Sequence, residues 1–88
     1  METFSEETRI KVHEAYNGYC GFLGCSKEGI DFCHRKENTE TNRKLYPHFI
    51  QSVFNCVLGC RDCHTERNHQ IKITDRQAQL YENELNDS

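Results

Sequence analysis

Four of the six cysteines fall in two close pairs, Cys20-x4-Cys25 and Cys60-x2-Cys63. Two such pairs, brought together by the chain between them, can converge on a single ion. Zn²⁺ takes four thiolates in a tetrahedron with bonds of about 2.3 Å. A chain of 88 residues needs such a staple. A domain of this size buries only about 60–65% of the surface its unfolded chain exposes, and small domains commonly add disulfides or a metal. Hydrophobic residues make up 35% of this chain, charged residues 28%, and there is no Trp. The spacing predicts one structural Zn²⁺ on Cys20, Cys25, Cys60 and Cys63, which contributes on the order of 10 kcal/mol to folding.

The other use of six cysteines is three disulfides in a secreted domain. The opening stretch METFSEETRI is acidic and has no apolar signal core. No apolar run approaches the roughly 20 residues that span a membrane. The expectation is a cytoplasmic chain with no membrane partner, where paired cysteines point to metal. Cys33 and Cys56 stand singly among apolar residues and read as small buried thiols.

Along the chain, Ser5 is placed to cap a first helix over about 5–17, with Glu6 and Glu7 at its positive end. Ile10, His13 and Tyr16 follow at three-residue steps, and Gly18 suits the stop. YCGFLGC, residues 19–25, can fold its backbone amides around a metal-bound sulfur. GIDFCHR, residues 29–35, alternates: Ile30, Phe32 and His34 on one face, Asp31, Cys33 and Arg35 on the other. That is a strand.

Residues 36–44 read as a polar loop, and the stretch around Pro47 as a helical turn or irregular excursion. SVFNCVL, residues 52–58, reads as a second strand. Residues 60–70 should be helical, with His64 and Asn68 on one face and Cys63 turned to the zinc. Thr74 and Gln77 form a capping-box pattern for a last helix over about 75–86, with Ala78, Tyr81 and Leu85 on one stripe. The fold class is therefore α+β. One zinc-stapled domain spans 1–88, with a core over about 19–71 and a helix on each flank. A glycine-containing knuckle, a β-hairpin and a second cysteine pair opening a helix describe a treble-clef arrangement.

Net charge is −3, which does not advertise nucleic-acid binding. The acidic residues crowd the two ends, however, and residues 27–76 hold nine Lys and Arg against seven Asp and Glu. Large sequence-independent affinity for DNA needs many phosphate contacts. This chain can offer a few, so weak binding without a partner is expected.

The clip leaves His34, Asn55 and His64 unexplained. Together, CH within DFCHRKENT and the run FNCVLGCRDCH, residues 54–64, resemble the HNH endonuclease motif, with His34, Asn55 and His64 as its three letters. The resemblance covers residues 20–69 and looks especially like small phage-type members that carry the same two cysteine pairs. It implies a ββα-metal fold and a metal-dependent nuclease that nicks or cuts DNA in a host cell. A protein partner would supply the specificity this short chain lacks.

The resemblance also implies roles. His34 would be the general base, a role that suits imidazole near neutral pH. His64 would ligate a catalytic divalent cation (Mg²⁺, Mn²⁺, Ni²⁺ or Zn²⁺), and Asn55 would orient the loop carrying His34 or bind that cation. Asn68 or His69 would complete the site. Arg35, Lys36, Arg43 and Lys44 would hold the DNA backbone. One departure stands out. The residue before the first His is often Asp, Glu or His in the family, and here it is Cys33, a poor ligand for Mg²⁺. Replacing Cys33 with Asp or His is accordingly expected to raise activity with Mg²⁺. The competing reading is a treble-clef zinc module that binds nucleic acid or protein and has lost catalysis through Cys33. A purely structural zinc domain ignores His34 and Asn55. His13 and His48 have no role assigned.

Overall fold

Ser5 starts the first element. In the computed structural model, which describes residues 4–87, its side chain accepts from the Thr8 amide at 3.2 Å, and helix α1 runs Glu6–Ala15. The helix ends where Asn17 and Gly18 turn left-handed, at φ 54° and 76°, and the Gly18 amide reaches back to the His13 carbonyl. Gly18 suits that stop because it carries no Cβ penalty there. The buried residue of α1 is Val12, while Ile10 stays half-exposed. The three-residue spacing had pointed at Ile10. The helix instead rolls Val12 onto the cluster of Phe4, Cys56 and Leu58.

Strands β1 (Asp31–His34) and β2 (Cys56–Gly59) form a two-stranded antiparallel sheet, pairing Asp31 with Gly59, Phe32 with Leu58, Cys33 with Val57 and His34 with Cys56. Alternation along the strands sends side chains into two different clusters. Phe32, Cys56 and Leu58 pack with Phe4 and Val12. Cys33 and Val57 pack with Phe22 and the paired cysteines. Both faces are covered, so every residue of β2 is buried. Ile30 falls outside β1 and is exposed.

Three element expectations change. The second strand begins only at Cys56, because residues 53–55 form a 3-10 turn. There the Asn55 side chain is drawn away to backbone groups of Lys36 and Ile50. Within the expected polar loop, Glu40–Leu45 is a helix, α2, capped by Thr39, whose hydroxyl accepts from the Asn42 amide at 3.1 Å. It buries no residue, so no apolar stripe marks it. Helix α3, Arg61–Glu66, stops short of residue 70: Arg67 leaves helical geometry at φ −119°, and residues 68–71 form a 3-10 turn.

Helix α4, Asp75–Asn86, has both halves of the capping box at Thr74 and Gln77. Ala78, Tyr81 and Leu85 pack on Tyr46, Phe49 and Ile50, so the excursion around Pro47 is the seat of this helix. Glu82 is buried at the contact. Its carboxylate accepts from the His48 and Phe49 amides at 2.8 and 2.9 Å and from His48 Nδ1. No helix among the described residues is long and apolar enough to cross a membrane.

Burial alone would push the Glu82 carboxyl up, but the His48 ring and the two amides outweigh it and hold it below the ordinary carboxylate range. A depressed folded value means stability that is present above the unfolded value and lost as pH falls through the folded one. Glu82→Gln is expected to lower the stability of the zinc-loaded protein by about 2 kcal/mol at neutral pH. In chemical denaturation, that gap should close as pH drops below about 4.3.

Candidate metal centre and histidine site

Residues 19–28 form a knuckle. Tyr19 bridges Glu28, the Cys20 amide donates to the Lys27 carbonyl at 2.8 Å, and the Cys25 amide donates to the Phe22 carbonyl at 3.1 Å. Gly24 turns the tip at φ 78°. Across from it, Cys60 caps α3, its sulfur accepting from the Cys63 amide at 3.4 Å. The sulfurs of Cys20, Cys25, Cys60 and Cys63 lie within 4.8 Å of one another, with Cys25 and Cys60 3.8 Å apart. A tetrahedron with bonds of about 2.3 Å has edges of about 3.8 Å. The cluster can therefore hold a structural metal ion such as zinc.

The surroundings fit that charge balance. A hydrogen bond from the Lys27 amide draws the Cys25 thiol down to about 7, while burial and the neighbouring thiols push Cys63 up to about 12. A cation at the centre of the four removes that conflict. Arg67 donates to the Cys63 sulfur at 3.7 Å and to the Leu23 carbonyl at 2.6 Å, tying α3 to the knuckle tip. Lys27 meets Asp62 at 2.6 Å on the other side.

Asn55 is fully buried, and its amide is fully engaged. Its Oδ1 accepts from the Lys36 amide at 2.7 Å, while its Nδ2 donates to the carbonyls of Ile50 at 2.9 Å and Lys36 at 3.2 Å. The Arg35 amide also donates to the Asn55 carbonyl at 2.9 Å. Asn55 thus clamps the turn directly after His34. Of its two expected roles, its contacts match orientation, since Oδ1, the atom that would bind a cation, is buried and already accepts from the Lys36 amide.

His34 lies under Phe4, the two rings stacked with centroids 4.0 Å apart. Its Nε2 is buried without a hydrogen-bond partner, and so is Gln51 Oε1. Burial lowers the His34 pKa to about 4; the nearby Gln51 amide opposes this, and Lys72 and His64 add to it. The Lys72 ammonium donates to the His34 carbonyl at 3.1 Å. The sequence reading did not single out Phe4 or Gln51. A single aromatic ahead of the Ser5 cap was the only mark of Phe4.

His64 stands on α3 with a 43% exposed side chain, its Nδ1 3.1 Å from Asp31 Oδ2. The Arg61 Nε lies 3.3 Å from the same oxygen. Sequence alternation had put Asp31 on the strand face shared with Cys33 and Arg35, but no role was drawn from it. Asn68 sits in the 3-10 turn rather than on α3, and its Oδ1 is buried without a partner. His69 is exposed. Among the described residues, the four cysteines are the only group of three or more His, Cys, Asp or Glu side chains whose ligand atoms converge.

Cys33 is turned away from all of this. It is completely buried with Phe22, Val57 and the paired cysteines, and burial, then the charge of Asp31, pushes its thiol up to about 12. A carboxylate placed there by Cys33→Asp would enter the core and not the histidine site, which speaks against the expected gain with Mg²⁺.

The four candidate DNA-contacting cations all have partners within the chain. Lys36 is bound to Asp75 and largely covered, and Lys44 pairs with Glu40. Arg43 donates to Asn38. Arg35 donates to the Phe54 carbonyl and lies over the Tyr81 ring. A groove of about 530 Å³ runs beside Arg35 and is lined also by Tyr16, Phe54 and Lys72, but not by His34 or His64.

Elemental analysis is expected to find one zinc per chain, and a strong chelator should unfold the domain, with loss of far-UV circular dichroism. Cys33→Asp is expected to lower stability by about 3–5 kcal/mol, the cost of an unpaired buried charge, seen as a lower denaturation midpoint of the zinc-loaded protein. No protein-family model, no curated protein and no solved structure matches this chain, so its functional reading rests on the motif and this geometry.

Proposed function

We propose that the protein is a metal-dependent HNH-type endonuclease that hydrolyses phosphodiester bonds in DNA, built on a treble-clef, ββα-metal domain around a structural zinc. One observation carries the reading. The middle residue of the motif, Asn55, holds both backbone groups of Lys36 and so fixes the turn that presents His34. This contact between residues 19 apart supports the reading, because it ties the strand end carrying His34 to the turn before the second strand.

With its pKa near 4, His34 is neutral at neutral pH and able to accept a proton from water. Its Nε2 is buried under the stacked Phe4 ring, so that ring has to move aside before a water reaches it. So low a value makes a weak base, but the negative charge of an arriving phosphate raises it again. A divalent cation, when bound, neutralises charge on the phosphate and assists the leaving oxygen. His64 and the unpartnered Oδ1 of Asn68 would hold that cation, with His69 an exposed reserve and Cys33 excluded by its burial. With so few protein ligands the ion keeps several waters, as Mg²⁺ and Mn²⁺ commonly do. DNA affinity is weak alone, since Arg35, Lys36, Arg43 and Lys44 already have partners. Specificity comes from a protein partner, and a reducing intracellular setting keeps the thiols available for metal.

A second reading, a zinc module that binds nucleic acid or protein without cutting, is favoured by Phe4 stacked on His34 and by Cys33 turned into the core. Plasmid nicking with Mg²⁺, Mn²⁺ and Ni²⁺ decides. His34→Ala is expected to cut the rate by about 10²–10⁴-fold with zinc content unchanged, and His64→Ala to remove both rate and cation dependence. If the wild-type protein nicks no faster than His34→Ala with any of the three ions, the enzyme reading fails. Retained DNA binding would then select the second.

A further inference from the structure

We infer that Asp31 is the positioning residue for His64. It fixes the imidazole as its Nδ1–H tautomer and so turns the Nε2 lone pair outward as a ligand for a divalent cation. The last step rests on the proposed role of His64. The arrangement of the two side chains does not.

Three observations carry it. The Asp31 carboxylate is 19% exposed and lies 3.1 Å from His64 Nδ1 across the hairpin-to-helix contact. An ionised carboxylate only accepts hydrogen bonds, so the proton of a neutral His64 must sit on Nδ1. Arg61, on the same helix as His64, places its Nε 3.3 Å from the same Asp31 oxygen, which anchors the carboxylate from the solvent side. Finally, Asp31 occupies the first position of β1, in register with Gly59 directly before Cys60. The strand pairing that closes the zinc clip thus also delivers the carboxylate to α3. Histidines that bind metal commonly donate their other ring N–H to a carboxylate, and losing that partner costs about 10–100-fold in metal affinity. An unconstrained neutral histidine prefers the opposite, Nε2–H form, whose Nε2 cannot bind a metal. Asp31 is therefore the group that makes His64 a usable ligand on an exposed helix.

The test is a long-range ¹H–¹⁵N NMR spectrum of the zinc-loaded protein at about pH 8, where an ordinary imidazole is neutral. Wild-type His64 is expected to show the Nδ1–H pattern. Asp31→Ala should revert it to mostly Nε2–H, while His48, whose Nδ1 faces Glu82, keeps its own pattern as an internal control. Asp31→Thr, which retains strand preference, gives the same readout should the Ala variant not fold. Mn²⁺ added to the zinc-loaded protein should broaden the His64 resonances, and Asp31→Ala should need about 10–100-fold more Mn²⁺ for equal broadening. An Nε2–H pattern in the wild type overturns the inference whatever the plasmid assay gives. So does a Mn²⁺ requirement that Asp31→Ala leaves unchanged. Asp31-dependent Mn²⁺ broadening without any plasmid nicking supports the inference and removes the nuclease reading.

Discussion

Four sulfur atoms within 4.8 Å of one another organise this molecule, because of where they lie in the chain. Cys20 and Cys25 precede β1, and Cys60 and Cys63 follow β2. Bringing the two pairs together therefore closes the hairpin and sets the start of α3 against the knuckle. The sheet has only two strands of four residues each, and an isolated hairpin of that size is marginal in water. The four clustered cysteines, Phe22 and the buried thiol of Cys33 supply one face of its support, and α1 with Phe4 supplies the other. Take the cluster away and the face beneath the knuckle loses its reason to close.

The third cluster is built differently. Helix α4 docks on residues 46–50 through an apolar stripe, but its centre is the polar Glu82, which answers two backbone amides of a chain segment with no regular structure. A buried irregular segment carries amides that would otherwise lack partners. The helix brings one. The region between the strands is thus ordered from both sides, by Asn55 at the hairpin and by Glu82 at the C-terminal helix.

Much of this was legible in the sequence, for identifiable reasons. The cysteine pairs, the Thr74–Gln77 box and the stripe of Ala78, Tyr81 and Leu85 are local patterns whose meaning does not depend on the rest of the fold. The errors arose where tertiary contacts overrode local pattern. Residues 53–55 carry strand-forming side chains, yet the chain turns there because Asn55 is needed elsewhere. Helix α2 has a good cap and no buried face, so periodicity is silent about it. Alternation put Cys33 on the opposite face from His34, and its apolar neighbours marked it as a buried thiol, as the fold has it; only its place in the motif had tied it to the histidine site. The motif named the three residues His34, Asn55 and His64. It could not name Phe4, Gln51 or Asp31, which meet them only through the fold.

Asn55 has a consequence for how this chain can vary. Its position needs one short side chain carrying both a hydrogen-bond acceptor and a double donor, in a fully buried space. Aspartate lacks the donors, glutamine is a methylene too long, and alanine leaves three backbone groups of Lys36 and Ile50 without partners. Selection for folding alone would therefore keep asparagine here, even in a descendant that had lost every other letter of the motif. At this position the asparagine serves the turn first, and only through the turn the histidine that it presents.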